Sequence, residues 1–260
     1  MDWSTGVFAF TAGMLIAVVT APVGVSGAVF LLPVQLSVLG VPSPAVTPTN
    51  LLFNVVAGPG ALHRYRHDGT LYGPLTRRLI SGTLPGVVLG AVIRVLAVPG
   101  PAVFRLLVAG LLLPLGIWLS VRTLHPAGVN PPQAPSPRMI SVLALAVGTV
   151  GGIYGIGGGS ILGPILVGRG ISVAQVAPAA LASTFLTSIV GAGTYALLAL
   201  TGGHDIAPHW FLGLACGLGG LVGGNLGARL QPHLPEQFLR LLLGALATGI
   251  GALYAVQAIA

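Results

Sequence analysis

Between Asp2 and Arg64 the chain contains no aspartate, glutamate, lysine or arginine. That run is about three times the ~20 apolar residues that carry one helix across a bilayer. Further uncharged runs cover residues 79–93, 106–121, 139–168, 170–204 and 206–228. Only 6% of the residues are charged, against about 25% in an ordinary soluble domain. Too little polar surface exists to solubilise such runs, so the pattern predicts an all-α polytopic membrane protein.

Inside one run stands "GGIYGIGGGSILGPIL", residues 151–166, dense in glycine and free of charge. A nucleotide loop is the first reading to test. The dinucleotide fingerprint needs a third glycine where Ser160 stands and an acidic residue about twenty positions on, yet the next acid is Asp205. A P-loop needs a lysine, and all eleven basic residues here are arginine. The net charge of +7 does not point to nucleic acid either. The arginines are scattered beside apolar runs, as topology signals are, with no basic–aromatic stripe. Cys216 is a lone cysteine in a glycine-rich run, which predicts packing rather than a disulfide. "MDWSTGVF" has no basic n-region, so the first helix is expected to stay uncleaved.

The chain repeats itself. "GVSGAVFLLP" (24–33) lies over "GIGGGSILGP" (155–164) at an offset of 131, matching Gly24 with Gly155 and Gly27 with Gly158. Val46, Pro48 and Leu51 then match Val176, Pro178 and Leu181, and "FRLLVAGLLLPLG" (104–116) matches "LRLLLGALATGIG" (239–251). The expected organisation is a first membrane repeat over 1–124, a proline-rich linker over 125–138 and a second membrane repeat over 139–260. Each repeat opens on an apolar stretch interrupted by glycines, 6–38 and 139–168. Runs at 45–62, 73–96 and 102–121, then 174–200, 207–229 and 236–258, follow them. Thirty residues of helix measure about 45 Å, too long for one crossing of a ~30 Å core. A break at the glycines allows a re-entrant hairpin, tolerated only where protein or a watery cavity covers its backbone.

Arginine placement decides between parallel and inverted repeats. A hairpin plus three transmembrane helices per repeat inverts the second copy. Arg64, Arg66, Arg77, Arg78, Arg122, Arg138, Arg169, Arg229 and Arg240 then share one side, leaving Arg94 and Arg105 on the other. Parallel repeats split them almost evenly, so the positive-inside rule favours inversion with both termini outside.

Broken helices in inverted repeats are a transporter architecture, with the site near the midplane. Helix N-termini carry free N–H groups and about half a positive charge, which attract a small inorganic or organic anion. Glycine lets that anion approach the backbone. The candidate substrate-binding residues are therefore Gly24, Ser26, Gly27, Thr49, Asn50 and Asn54 in the first copy. In the second they are Gly155, Gly157, Gly158, Gly159, Ser160, Ser183 and Thr184. Thr47 and Thr187 are further polar neighbours. Close helix packing is the competing role for the glycines, and bonding to a neighbouring helix competes for Thr49 and Asn50. On the anion reading, Gly158→Val abolishes binding more than folding, and Gly27→Val behaves alike.

All four acids, Asp2, Asp68, Asp205 and Glu236, lie at expected ends or loops, which argues against a cation carrier. His63 and His67 have helical i, i+4 spacing but flank arginines, so an interfacial loop outweighs a metal site there. His204 and His209 fall in a short outer loop. No cofactor and no catalytic residue is implied, since Ser26, Ser160 and Cys216 have no evident acid–base partner.

The glycine knot with Ile-Leu-x-Pro, "AVTPTNLL", "HRYRHDGT" and the "RLL…G" end together resemble the sulfite exporter TauE/SafE family of membrane permeases. The resemblance covers nearly the whole chain in both copies. It implies a multi-pass permease of the cell membrane carrying small sulfur-containing anions such as sulfite or organosulfonates. By motif, the site is expected around Gly24–Gly27, Thr49–Asn50, Gly155–Ser160 and Ser183–Thr184. Two departures are a first knot poorer in glycine and Thr-Asn in place of the family's usual Thr-Ser. A membrane-embedded enzyme and a structural subunit of a larger membrane complex are the alternatives; association into a homodimer stays open.

Overall fold

The computed structural model describes residues 3–41, 43–97, 101–125, 135–202 and 207–259. Ten α-helices order these residues, and no strand occurs among them. They are α1 (Trp3–Thr20), α2 (Ala28–Ser37), α3 (Ser43–His67), α4 (Pro74–Ala97) and α5 (Pro101–Leu124), then α6 (Pro137–Tyr154), α7 (Gly158–Gly168), α8 (Val173–Gly202), α9 (Trp210–Leu230) and α10 (Glu236–Ile259). Six of them are long and apolar enough to cross a membrane. The chain is a multi-pass helical membrane protein. Large apolar side chains such as Leu15, Leu96, Leu197 and Val256 are more than half exposed, as befits contact with lipid. Linker residues 126–134, as well as Asp2, His204 and Asp205, lie outside the described residues.

Both glycine-interrupted stretches are broken. A 3-10 turn over Ala21–Val23 ends α1, and Gly24 leaves it at φ 76°. Gly155 ends α6 at φ 69°, and Gly157 precedes α7 at φ 70°. A side chain is strained in that left-handed region and glycine is not, so the glycines terminate the helices where they fall. At the other end of α6, Ser136 Oγ accepts the Met139 N–H at 3.3 Å and Pro137 stands in the first turn. That is a helix start written in the sequence.

The second stretch doubles back on itself. Arg169, just past α7, places its guanidinium 3.9 Å from the Met139 sulfur in the first turn of α6. The first stretch does so by the direction of its neighbours. α1 runs parallel to α9, with Gly6 against Phe211 and Gly227 against Val18. α3 also runs parallel to α9, with Gly213 against Leu52 and Gly217 against Val56. α1 and α3 therefore start on one face, and α2 brings the chain back between them.

In the same way α6 and α8 run parallel to α4. Gly82 meets Ala144 and Gly90 meets Gly152, while Thr83 bonds Ser183 and Val87 meets Gly191. α5 runs against α10, with Gly251 at Leu113 and Gly244 at Ser120. These directions bring the helix ends bearing Arg64, Arg66, Arg77, Arg78, Arg122, Arg138, Arg169, Arg229 and Arg240 to one face. Arg94 and Arg105 belong to segments at the opposite one.

Apolar surface gives little drive for association in lipid, so the helices adhere by close packing of small residues. α1 and α9 touch backbone to backbone: a side chain at Gly13 would begin 2.1 Å from the Cys216 carbonyl oxygen. Cys216 is buried at this seam, free and packed.

Candidate functional site

The two breaks meet in the interior. The Ser26 N–H, in the first break, donates to Ser160 Oγ in the first turn of α7 at 3.0 Å. The Ser26 hydroxyl donates to Asn54 Oδ1 and accepts the Ala28 N–H at 3.1 Å. Asn54 Nδ2 in turn donates to the Gly155 carbonyl at 3.4 Å, and the Ser160 hydroxyl donates to Ile156 O at 3.2 Å. One network thus joins first break, α3, second break and α7.

Beside that network lies a cavity of about 40 Å³, lined by Thr20, Ser26, Gly27, Phe53, Asn54 and Thr184 among others. At about 10–15 Å³ per water-sized sphere, it has room for a few oxygen-sized groups, such as those of a small oxyanion. Thr184 is 3% exposed and its hydroxyl has no hydrogen-bond partner. It faces the start of α7: a side chain at Gly157 would begin 2.4 Å from its methyl, and one at Gly159 2.6 Å from Oγ1. No side chain caps α7 at Gly157, so its N-terminal positive end is not neutralised by a cap.

Asn50 is the second unpartnered group. It is fully buried, and neither amide atom has a hydrogen-bond partner. Its place is one turn from two residues that hold the second break: Thr47, which donates to Ile153 O at 3.3 Å, and Asn54. Residues three and four apart share a helix face, so Asn50 lies on the face of α3 turned to that break.

Gly24, Gly155 and Gly157 supply the turns, and Gly27 lines the cavity. Thr49 is engaged elsewhere, donating to Ala45 O at 2.6 Å and accepting the His209 N–H at 2.8 Å. Ser183 Oγ sits 2.8 Å from Thr83 Oγ1 and ties α8 to α4. Thr187 bonds the Ser183 and Thr184 carbonyls. Gly158 does not share the surroundings of Gly27. A side chain there would begin 2.7 Å from the Thr83 methyl and 3.2 Å from Gly148 Cα, whereas at Gly27 it would begin 3.0 Å from the Ile16 methyl and 3.1 Å from the Phe53 ring. Gly158 is a close-packed position, and its valine variant would disrupt packing first.

Sequence reasoning passed over Thr20 and Phe53, which line the cavity, and Gln35 of α2, whose buried amide has no hydrogen-bond partner. Gln35 had a signal of its own, an amide inside the longest uncharged run.

The electrostatics are those of neutral donors. Asp68 pairs with Arg64 at 3.0 Å, and Glu236 pairs with Arg240 at 3.0 Å and accepts the Val173 N–H. Both acids sit at helix ends. No carboxylate lines the cavity, and no cluster of three His, Cys, Asp or Glu occurs among the described residues. Hydroxyls, amides and an uncapped helix start favour negative charge.

Residues 9–254 match the family described as Sulfite exporter TauE/SafE. No curated protein and no solved structure matches the chain.

Proposed function

Because this chain belongs to the sulfite exporter TauE/SafE family, we propose that it is a secondary carrier of a small sulfur-containing anion, such as sulfite or an organosulfonate, across the cytoplasmic membrane. The anion binds between the two breaks, in the cavity of Ser26, Gly27, Asn54 and Thr184, with Asn50 and the first N–H groups of α7 beside it. The observation that carries this reading is the Thr184 hydroxyl, buried, unpartnered and turned to an uncapped helix start. A buried polar group without a partner costs about 1–3 kcal/mol, and an anion oxygen at the site would remove that cost. Neutral donors also suit transport, because an anion held by hydrogen bonds alone can leave again. A membrane-embedded hydrolase fits less well, since no histidine or carboxylate lines the cavity to activate a serine.

The two halves act as inverted-topology repeats that rock about the breaks. Support comes from the helix directions, which exchange consistently between halves: α9 lies along α1 as α4 lies along α6. The arginine-rich face is cytoplasmic by the positive-inside rule.

Purified protein in liposomes is expected to take up labelled sulfite or an organosulfonate, with thiosulfate as a related anion to compare. Flux and binding absent for every anion would sink the carrier reading. The orientation has its own test. In a Cys216→Ser background, single cysteines at Thr70 and Ser136 should resist an impermeant thiol reagent added to intact cells, while one at Trp3 should react. Labelling of Ser136→Cys from outside would overturn the inverted arrangement.

A further inference from the structure

Two tyrosines make the same bond in the two halves. The Tyr65 hydroxyl of α3 donates to the Ala21 carbonyl at 3.1 Å, and the Tyr195 hydroxyl of α8 donates to the Gly152 carbonyl at 2.9 Å. Both tyrosines are 2% exposed. Tyr65 and Tyr195 are related by the offset of 130 that also relates Asn54 to Thr184, and Ala21 and Gly152 by the offset of 131 that relates the breaks. The flanking residues are not kept: Arg64 corresponds to Thr194 and Arg66 to Ala196. A tyrosine that merely filled core space would have no reason to find the same backbone atom twice.

The Gly152 carbonyl is one that a break leaves short of a helical partner, while the Ala21 carbonyl accepts the Gly24 N–H at 3.1 Å beside the tyrosine hydroxyl. A helix end has free C=O groups, and no water reaches them in hydrocarbon. For Gly152 the helical donor four residues on lies past Gly155, where the chain has left the helix. Each tyrosine also stands eleven residues beyond the polar side chain that its own helix gives the cavity, Asn54 on α3 and Thr184 on α8. Eleven residues are about three turns, or about 16 Å, so hydroxyl and site side chain lie on one face of the same helix.

Resting on the carrier reading above, we propose that Tyr65 and Tyr195 are positioning residues for the anion site. Each clamps the end of a first arm to the helix that carries the facing site side chain. The glycine break and its polar partner then keep their spacing while the halves move. Without the hydroxyl the ring still packs, but the break loosens and the anion's donors no longer converge.

The variants Tyr65→Phe and Tyr195→Phe test this, with the exposed Tyr72→Phe as control. The first readout does not depend on the substrate. In a Cys216→Ser background, the thiol of Val25→Cys is expected to react several-fold faster with a small methanethiosulfonate once Tyr65 is Phe. That of Ile156→Cys should do so once Tyr195 is Phe. The second readout is sulfite uptake into liposomes, where each variant should raise the half-saturating concentration about three- to tenfold, the worth of one hydrogen bond, with a smaller change in maximal rate. Thiol reactivity unchanged from the Tyr72→Phe control overturns the proposal, as does a lowered melting temperature with unchanged half-saturation. If the unmutated protein moves no sulfite, the carrier reading fails while the thiol rates still decide whether the tyrosines hold the breaks. The two positions are equivalent, so a variant that fails to fold in one half leaves the other to decide.

Discussion

Replacing Thr184 by valine is expected to weaken anion binding about ten- to hundredfold while the melting temperature stays level or rises. The two side chains have nearly one shape, so the packing of α8 on α7 survives the exchange. What changes is one hydroxyl, buried and without a hydrogen-bond partner within the protein. Leaving such a group unsatisfied costs about 1–3 kcal/mol, so its removal should not destabilise the fold. A hydrogen bond to a charged ligand is worth about 1.5–3 kcal/mol, which sets the expected loss of affinity. Asn54→Leu should behave differently. That amide accepts from Ser26 and donates to Gly155 O, so its loss orphans buried groups and lowers stability as well as affinity. Titration of purified protein with sulfite, beside thermal melting in the same detergent, separates the two. Unchanged affinity in Thr184→Val would remove the central observation behind the carrier reading.

The breaks were legible in sequence because their cause is local. A left-handed backbone angle is a demand on one residue, and glycines at 24, 155 and 157 answer it. The apolar runs were legible for a similar reason, since hydropathy belongs to the segment and not to its neighbours. The polar partners were harder. Thr49 and Asn50 are adjacent, yet about 100° of helix rotation separates them. One faces the start of α9 and is fully engaged, while the other faces the second break and has no partner. Their phase becomes informative only once the helices around α3 are known.

Gly158 shows the same limit from the other side. The repeat aligned it with Gly27, but a side chain at Gly158 would begin 2.7 Å from the Thr83 methyl of α4, and one at Gly27 3.0 Å from Ile16 and 3.1 Å from Phe53. Symmetry in sequence carried the backbone from one copy to the other. The environment was set by side chains that differ between copies, Thr83 at one glycine and Ile16 with Phe53 at the other.

Alanine at Gly159 is the smallest change with the largest expected damage. The added carbon would begin 1.9 Å from the Ala180 carbonyl oxygen and 2.6 Å from both its carbon and Thr184 Oγ1. The nearest of these atoms are backbone of α8, and Ala180 is fully buried, so no flexible side chain can swing aside. Overpacking in a core costs about 1–3 kcal/mol and occasionally more; a forced separation of α7 from α8 belongs at the high end. Gly159→Ala should therefore lower the melting temperature by about ten degrees or more, or yield no folded protein. Gly163, on the same helix, supplies the comparison. A side chain there would find its nearest atoms, the Gly24 and Val23 carbonyl oxygens, at 3.9 Å, and alanine favours a helix over glycine by about 1 kcal/mol. Gly163→Ala should be neutral or stabilising, by the same melting measurement. Equal losses at both positions would mean that α7 suffers from any added bulk, and that close approach to α8 is not its special constraint. The predicted contrast instead gives the glycine knot a physical purpose. It lets the first turn of a broken helix press against α8 closely enough to put the Thr184 hydroxyl beside its free N–H groups.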